Sequence, residues 1–235
     1  MEKLIYVVWK HDGAPPQRFR QEMLGGTARQ LIALGARGLA VSLIDELTLP
    51  GTRITQMAEP MVGMVSIWLD TTLRRGPLEA ALVRVTKRLA GYLVVESVPI
   101  VNTKHVVSPG ERLPGLYSVA FLEKPSFLTY DAWLELWQGH HTQVAIETQS
   151  TFLYVQNVVV RALTKEAPPW AAIVEEAFPA KAAMEPMVFY NADSPQKLAE
   201  NKQRMMESCE KFIDFTRLES HPMSAYSIKL MMNAE

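Results

Sequence analysis

Two neighbouring histidines, His140 and His141, follow a pair of tryptophans at Trp133 and Trp137. An imidazole has an ordinary pKa of roughly 6.5, so it can take up and release a proton near neutrality, as general acid–base catalysis requires. On a helical wheel at about 100° per residue, His140 lies near the centre of the apolar stripe and His141 lies on its flank. The wheel therefore predicts a buried His140 and a His141 at the edge of a pocket. It leaves open which of them moves a proton, and also whether both are merely packed.

The strand that follows this helix supplies a second set of candidate groups. Alternation along the strand predicts one face formed by Phe152, Tyr154 and Gln156, with the opposite face meeting the helices (Leu153, Val155, Asn157). The matching strand of the first half carries only small residues on its equivalent face (Gly38, Ala40, Ser42), and its other face is expected to meet the helices (Leu39, Val41, Leu43). We expect Tyr154 and Gln156 to hydrogen-bond a ligand, although aromatic side chains could equally fill the barrel.

These residues lie in the second of two similar halves of the chain. At a shift of 114 residues Lys10 aligns with Lys124, and at a shift of 123 Asp70 aligns with Asp193. Each half has the pattern strand, helix, strand, strand, helix, strand. In the first half the apolar run 4–9 predicts a strand, Pro15-Pro16 indicates the start of a helix, and the alternation of 39–43 predicts the next strand. The sequence therefore predicts an α+β protein of two tandem ferredoxin-like βαββαβ units, whose open sheet faces pack together as an intrachain barrel. The expected bounds are 1–106 and 117–235, joined by a linker at 107–116.

The two shifts differ by nine residues, which predicts an insertion in the second half, within the loop 164–184. Pro168-Pro169 indicates the start of a short amphipathic helix from Trp170 to Phe178. Such a helix could cover the cavity as a lid, protect a sheet edge or contact another subunit. Two weaker ligand-binding candidates follow, Asn191 on a predicted third strand and Tyr226 on the last strand. His221, next to Pro222 at the start of that last strand, is expected to face solvent.

The spacing of Trp137 and His141 resembles the signature of the EthD-like family of the dimeric α/β-barrel superfamily. In that signature a helix carries an aromatic pair and then a histidine four residues past the second aromatic. The family usually continues with Ala-Pro-Leu, where this chain has Thr142-Gln143-Val144. The first half has Met23 and Thr27 at the two matching positions. The resemblance implies a tandem barrel that binds small aromatic or polyketide-like molecules, and the family includes cofactor-free enzymes.

Charge and composition exclude several functional classes. The 235 residues include 24 basic and 25 acidic side chains, a net charge of −1, so no strong field attracts nucleic acid or an anionic membrane surface. The single cysteine, Cys209, predicts a protein without an internal disulfide and a cytoplasmic location. Adjacent histidines diverge on a helix, and no carboxylate lies four residues away, so we expect no metal site.

Three functions remain compatible with the sequence. The leading one is a cofactor-independent enzyme in which His141 or His140 moves a proton during cyclisation, dehydration, decarboxylation or oxygenation, and Trp137, Tyr154 and Gln156 help to hold the substrate. The second is a haem protein, because tandem barrels of this size include chlorite-dismutase-like proteins that bind haem through a histidine of the second half. The third is a non-catalytic binding barrel. A homodimer of such two-unit chains is also possible.

Overall fold

Eight antiparallel strands of the computed structural model, which describes residues 1–230, close into a barrel. Each strand hydrogen-bonds to its neighbours in the order β1-β3-β2-β8-β5-β7-β6-β4. The strands are β1 (Glu2–Trp9), β2 (Gly38–Leu43), β3 (Gly63–Leu69), β4 (Arg88–Ile100), β5 (Leu116–Leu122), β6 (Leu153–Ala162), β7 (Ala172–Phe178) and β8 (Glu219–Lys229). A closed barrel has no unpaired sheet edge, so every strand is protected on both sides.

The helices pack on the outside of the barrel. In each half the first helix is interrupted by a π-helical segment, in which the hydrogen bonds span one more residue per turn. The α- and π-helical elements are α1 (Pro16–Glu22), the π-helix Met23–Thr27, α2 (Ala28–Ala33), α3 (Gly76–Val83), α4 (Tyr130–Leu134), the π-helix Glu135–His141, α5 (Thr142–Thr148), α6 (Pro186–Phe189) and α7 (Pro195–Cys209), with 3-10 turns at Thr72–Arg74 and Ala180–Ala183. None of the helices within residues 1–230 has the length and apolar character needed to cross a membrane.

The predicted α+β class and the closed barrel are confirmed. The first four strands are adjacent in the order β4-β1-β3-β2, and the last four in the order β8-β5-β7-β6. Two pairings join the groups, β2 with β8 and β4 with β6. The chain between β4 and β5 runs beside β8, where Gly110 N donates to Ser227 O at 2.7 Å.

The barrel has a mainly apolar interior that also contains a buried ionic network. Lys3 of β1 donates to Glu96 and, at 3.2 Å, to Glu175 of β7. Asn157 Nδ2 donates to Glu175 Oε1 at 2.9 Å, and Tyr117 donates to the other carboxylate oxygen. Burial alone would raise the pKa of Glu175, but Lys3 and these hydrogen bonds outweigh burial and lower it. The charge of Lys3 is therefore neutralised by partners far along the chain.

The predicted strand faces are correct in the first half and wrong in the second. Leu39, Val41 and Leu43 pack in the cluster beneath the first-half helices, as expected. In β6, however, Tyr154 packs with the tryptophans of the helix layer, and Asn157 points into the barrel. The repeat alignment was one residue out of register at this strand, and a shift of one residue moves every side chain to the opposite face.

The predicted helix from Trp170 to Phe178 is also wrong, because Ala172–Phe178 forms β7. This strand is covered on both faces, so its apolar run lacks the alternation that would distinguish it from a short helix. The predicted third strand, which was expected to carry Asn191, is wrong as well. The segment expected to be the third strand instead contains α6, which begins with Pro186 in its first turn.

Candidate active site

A cavity of about 590 Å³ lies between the outer face of the second-half sheet and the helices that cover it. Its floor is built from the outward-facing residues of β5, β7 and β8, and its roof includes residues of the π-helix Glu135–His141 and of α7. Apolar side chains make up most of the lining, among them Trp137, Val174, Phe178, Met205, Phe212 and Leu218. The cavity is outside the barrel, so the ionic network around Glu175 does not face it.

Glu176 is placed at the centre of the cavity floor by strand register. On the neighbouring strands it pairs with Tyr154 of β6 and with Ser118 of β5, and Ser118 pairs in turn with Pro222 of β8. Residues that are directly opposite on neighbouring strands share one face of the sheet. These four side chains therefore form a row across the floor, in which Glu176 is the acidic member.

The Glu176 carboxyl has no hydrogen-bond or ion-pair partner among the residues that the structure describes. Burial raises its pKa to about 7, because a charged carboxylate loses much of its hydration in this apolar space. The Glu176 side chain is partly accessible and lines the cavity. A carboxyl that is half ionised near neutrality can both accept and donate a proton at physiological pH.

The π-helix decides which histidine reaches the cavity. His141 is 8% exposed and lines the cavity, whereas His140 is exposed to solvent. The wheel prediction of a buried His140 is therefore wrong. The wheel assumed regular α-helical turns, whereas the wider turns of Glu135–His141 bring His141 onto the face that carries Trp137. The spacing to Trp137, rather than the wheel, identified the residue that faces the cavity.

His141 is held firmly in a neutral state. Its Nδ1 lies 3.0 Å from Ser208 Oγ, and its ring packs 4.7 Å from the ring of Phe212. Burial, with a smaller contribution from the charge of His140, lowers the pKa of His141 to about 4. The imidazole is therefore neutral at physiological pH and is suited to hydrogen bonding more than to carrying a proton there.

Tyr154 and Gln156 form a hydrogen-bonded pair beneath the π-helix. Gln156 Nε2 donates to Tyr154 OH at 3.0 Å and to Thr142 Oγ1 at 2.8 Å. Tyr154 lines the cavity, but Gln156 does not, so the glutamine orients the tyrosine. Burial, followed by the charge of Glu176, raises the pKa of Tyr154, which keeps its hydroxyl protonated. Since that oxygen already accepts from Gln156, its proton is available for another acceptor.

Besides Gln156, three more predicted ligand-binding residues lie outside the cavity lining. Phe152 packs edge-on against His105 with the rings 4.7 Å apart, in the cluster inside the barrel. Asn191 is an exposed turn residue after α6, with a φ of 47° that asparagine tolerates better than most residues. Tyr226 is on the last strand, as predicted, but its hydroxyl donates to Asp45 Oδ2 at 2.6 Å.

One wall of the cavity comes from the first half, through a strap that we define as residues 44–62. Gly51, Thr52 and Ile54 of the strap line the cavity, and Ile54 exchanges two 2.9 Å backbone hydrogen bonds with Ser220 of β8. A side chain at position 51 would lie only 3.0 Å from Leu116 Cδ1. Glycine therefore allows the strap to rest directly on the sheet.

The strap is anchored by a buried pair on β8. Glu219 Oε1 accepts from the backbone N–H groups of Gln56 and Met57 at 2.6 and 2.9 Å, and its Oε2 lies 2.8 Å from His221 Nε2. His221 is fully buried, which corrects our expectation from its neighbour Pro222 that it faces solvent. Burial lowers the pKa of His221, and Glu219 partly opposes this effect.

The covering segment on the other side follows β7 and is later in the chain than predicted. Residues 179–194 include a 3-10 turn at Ala180–Ala183 and then α6, and they line the cavity through residues such as Ala183 and Tyr190. Phe189 stacks on Phe178 at 4.5 Å, and Asn201 Nδ2 donates to Tyr190 O at 2.7 Å. These contacts fix the cover to the floor and to α7.

Sequence reasoning missed Glu176 because β7 was predicted to be a helix. Interpreted as a strand, Ala172–Phe178 places Val174, Glu176 and Phe178 on one face. A glutamate between two apolar residues on such a face would have been the available signal. Cys209 also lines the cavity, but burial raises the pKa of its thiol to about 12, so it is not a reactive thiolate.

The lining does not fit a haem group. His141 could offer one imidazole nitrogen, but the two carboxylates of a haem need cationic or hydrogen-bonding partners. Lys202 is the one basic side chain in the part of the lining that the structure describes, and Glu176 adds a further acidic group. The described residues also contain no group of three or more His, Cys, Asp or Glu side chains able to hold a metal ion.

Comparisons with known proteins establish the fold and no more. No protein-family model matches the chain, and no curated protein matches it. An anthrone oxidase-like protein of known structure aligns with a TM-score of 0.55 and 12% identity, covering 100% of this chain and 95% of the other. A dye-decolorizing peroxidase from Bacteroides thetaiotaomicron aligns with a TM-score of 0.50 and 9% identity, covering 97% and 93%.

Proposed function

We propose that this protein is a cofactor-independent enzyme that binds a small, largely apolar, oxygen-bearing aromatic or polyketide-like molecule, and that Glu176 removes and returns a proton. The observation that carries the proposal is the Glu176 carboxyl, which faces an apolar cavity without a protein partner among the described residues and has a pKa raised to about 7. This differs from the expectation that a histidine moves the proton. Folded proteins rarely bury a carboxyl group without a hydrogen-bond or ion-pair partner, because desolvation of the charged form is unfavourable.

The size and lining of the cavity favour such a ligand. Ligand sites commonly have volumes of about 300–1,000 Å³, with mostly apolar walls and a few polar groups that fix orientation. At about 590 Å³ the cavity accommodates a two- or three-ring molecule. Trp137 and Phe212 supply flat apolar surfaces for its rings. The solved structures with a similar fold include proteins described as an oxidase-like protein and a peroxidase, so this fold supports catalysis elsewhere.

The proposed chemistry begins with removal of a proton from carbon next to a carbonyl group. The Glu176 carboxylate takes the proton, and the electron pair of the broken C–H bond moves toward the carbonyl oxygen. Tyr154 donates a hydrogen bond to that oxygen, and neutral His141 is positioned to add a second polar contact. The protonated Glu176 then returns the proton to carbon or oxygen. The cycle consumes no co-reactant, and it initiates isomerisation, cyclisation or dehydration.

Hydrogen–deuterium exchange into an aromatic ketone tests this proposal directly. In D₂O, the wild-type protein should accelerate exchange of the acidic C–H hydrogens of anthrone or 1-tetralone, measured by NMR. A positioned base typically contributes about 10²–10⁴-fold, so Glu176→Gln should lose most of the acceleration. Exposed Glu166→Gln serves as the control for loss of one carboxylate and should behave as wild type.

The pH dependence gives a second criterion. Because the ionised form of Glu176 is the base, exchange should rise with pH through about 7 and then level off. Exchange that is equally fast in Glu176→Gln would refute the role of this carboxyl. Identification by native mass spectrometry of a polar, non-aromatic co-purified ligand would contradict the proposed substrate class.

Haem binding and non-catalytic binding are the two alternatives. The Ser208 contact of His141 is the one feature that favours haem, since a ligating histidine is usually oriented through its other nitrogen. A Soret band after haem reconstitution that disappears in His141→Ala would support haem. Binding of aromatic ketones without any exchange would favour a binding barrel.

We also propose that the two halves arose by tandem duplication and that the chain is related to the EthD-like family. The interrupted first helix of each half and the cavity-facing His141 support this relationship. Superposition of the two four-strand groups, with the two π-helices in matching positions, is the test. The cytoplasmic location, the absence of nucleic-acid and membrane partners and a possible homodimer remain proposals from the sequence, to be tested by fractionation, binding assays and sedimentation.

A further inference from the structure

The rim of the cavity carries a lysine whose surroundings distinguish it from other cations of the same helix. Lys202 of α7 is exposed and also lines the cavity, which places it where the cavity meets solvent. Met205, Met206 and Cys209 lie three, four and seven positions further along, and all three line the cavity. This spacing follows one face of a helix, so Lys202 is the outermost member of the stripe that α7 turns toward the cavity.

Lys202 has no carboxylate partner within the described part of the chain. On the same helix, Lys197 lies 3.1 Å from Glu200, and Arg204 is paired with Glu147. The Lys202 ammonium instead lies 5.6 Å from the ring centroid of Tyr190, which also lines the cavity. A cation beside an aromatic ring at the entrance, with no protein anion to neutralise it, is free to pair with an anion on a ligand.

We propose that the ligand of this cavity carries an acidic group, a carboxylate or sulfonate-like anion, which pairs with Lys202 at the rim while the aromatic rings occupy the apolar interior. This inference rests on the proposed function and specifies its substrate class. The two charged sites then have different roles along the cavity. Lys202 holds the anionic end at the entrance, and Glu176 meets the reacting carbon on the floor.

A matched pair of fluorescent dyes separates the contribution of the anion from that of the rings. 1-Anilinonaphthalene-8-sulfonate and N-phenyl-1-naphthylamine share the same ring system, and only the first carries a sulfonate. Lys202→Met should weaken binding of the sulfonate dye about three- to tenfold, and should leave binding of the neutral dye within twofold. Lys202→Arg should retain the affinity for the sulfonate dye. The loss in Lys202→Met should shrink as salt is added, because a rim ion pair is screened.

Two further variants make the experiment decisive. Lys197→Met removes one positive charge from the same helix outside the cavity lining, and should leave both dyes unaffected. Ala183→Trp fills part of the cavity from the covering segment, and should weaken both dyes. Equal losses of both dyes in Lys202→Met, equal effects of Lys202→Met and Lys197→Met on the sulfonate dye, or no effect of Lys202→Met would each overturn the assignment of the anion site.

The result also distinguishes the two proposals. If Ala183→Trp weakens both dyes but Lys202→Met changes neither, the cavity binds aromatic rings and only the anion site is refuted. If Ala183→Trp leaves both dyes bound at full affinity, aromatic ligands do not occupy the cavity. That outcome overturns the anion site together with the proposed substrate class.

Discussion

Replacing Glu176 with glutamine should stabilise the protein at alkaline pH and not at acidic pH. The pKa of this carboxyl is raised from 4.5 to about 7 in the folded protein. Between these values the folded state binds more protons than the unfolded state, so stability falls as pH rises. A shift of one pKa unit corresponds to about 1.4 kcal/mol, so the full shift corresponds to at most about 3 kcal/mol above pH 7. Water entering the cavity would screen the charge and reduce this value.

The wild-type stability curve alone would hide this effect. The pKa of His141 is lowered from 6.5 to about 4, so His141 contributes stability that is present above pH 6.5 and is lost as pH falls toward 4. The slopes from Glu176 and His141 are opposite over pH 4.5–6.5 and largely cancel there. The informative quantity is therefore the difference in unfolding free energy between Glu176→Gln and wild type at each pH.

Urea denaturation at pH 4, 6 and 8 measures this difference. Glu176→Gln and wild type should be similar in stability at pH 4, and the variant should be about 1–3 kcal/mol more stable at pH 8. Glu166→Gln, which alters an exposed carboxyl, should track wild type throughout. A Glu176→Gln curve parallel to wild type from pH 4 to 8 would show that the folded protein does not shift this carboxyl, and the proposed base would lose its physical basis.

Three further substitutions test the surroundings of the cavity. His141→Ala should lower the unfolding free energy by about 1–3 kcal/mol, because the Ser208 contact and the packing on Phe212 are lost. Exposed His140→Ala should change it by less than about 0.5 kcal/mol. Equal losses in urea denaturation would contradict the burial of His141. Tyr226→Phe should lower the unfolding free energy by about 1–2 kcal/mol in the same assay, because the buried Asp45 carboxylate loses one hydrogen-bond donor. Dye binding should be unchanged, and weaker dye binding would place Tyr226 at the ligand. Glu219→Ala should speed amide hydrogen exchange at Gln56 and Met57 about tenfold or more, because both amides lose their acceptor. Exchange at Val65 of β3 is the internal control. Unchanged exchange at the two strap amides would show that Glu219 does not anchor the strap.

The architecture could be predicted because it depends on pattern and connectivity. The apolar run of β1, the proline that opens α1 and the alternation of β2 are local signals, and each predicted the observed element. Closure of the barrel followed from two sheets that each had an uncovered apolar face. These inferences tolerate errors of a few residues at element boundaries.

The site could not be predicted to the same degree because it depends on single-residue register. Tyr154 was assigned to the wrong face by a one-residue slip, and the assignment of His140 and His141 depended on a π-helix that the wheel did not include. Glu176 was missed because a strand buried on both faces has no clear period. Tyr226 and Asn191 have roles in the strap and in a turn, which only the tertiary contacts reveal.

The pairing of β2 with β8 and of Lys3 with Glu175 has a consequence for how the chain emerges from the ribosome. Domains generally begin to fold from the N-terminal side during synthesis, but β2 has to wait for the last strand of the barrel before its edge is covered. Until residues 116–229 are translated, the nascent first half exposes the apolar face of an open sheet that carries both Lys3 and its ion-pair partner Glu96. We expect these two charges to oppose premature association of nascent chains through the apolar face, and Glu175, 172 residues after Lys3, joins them when the barrel closes.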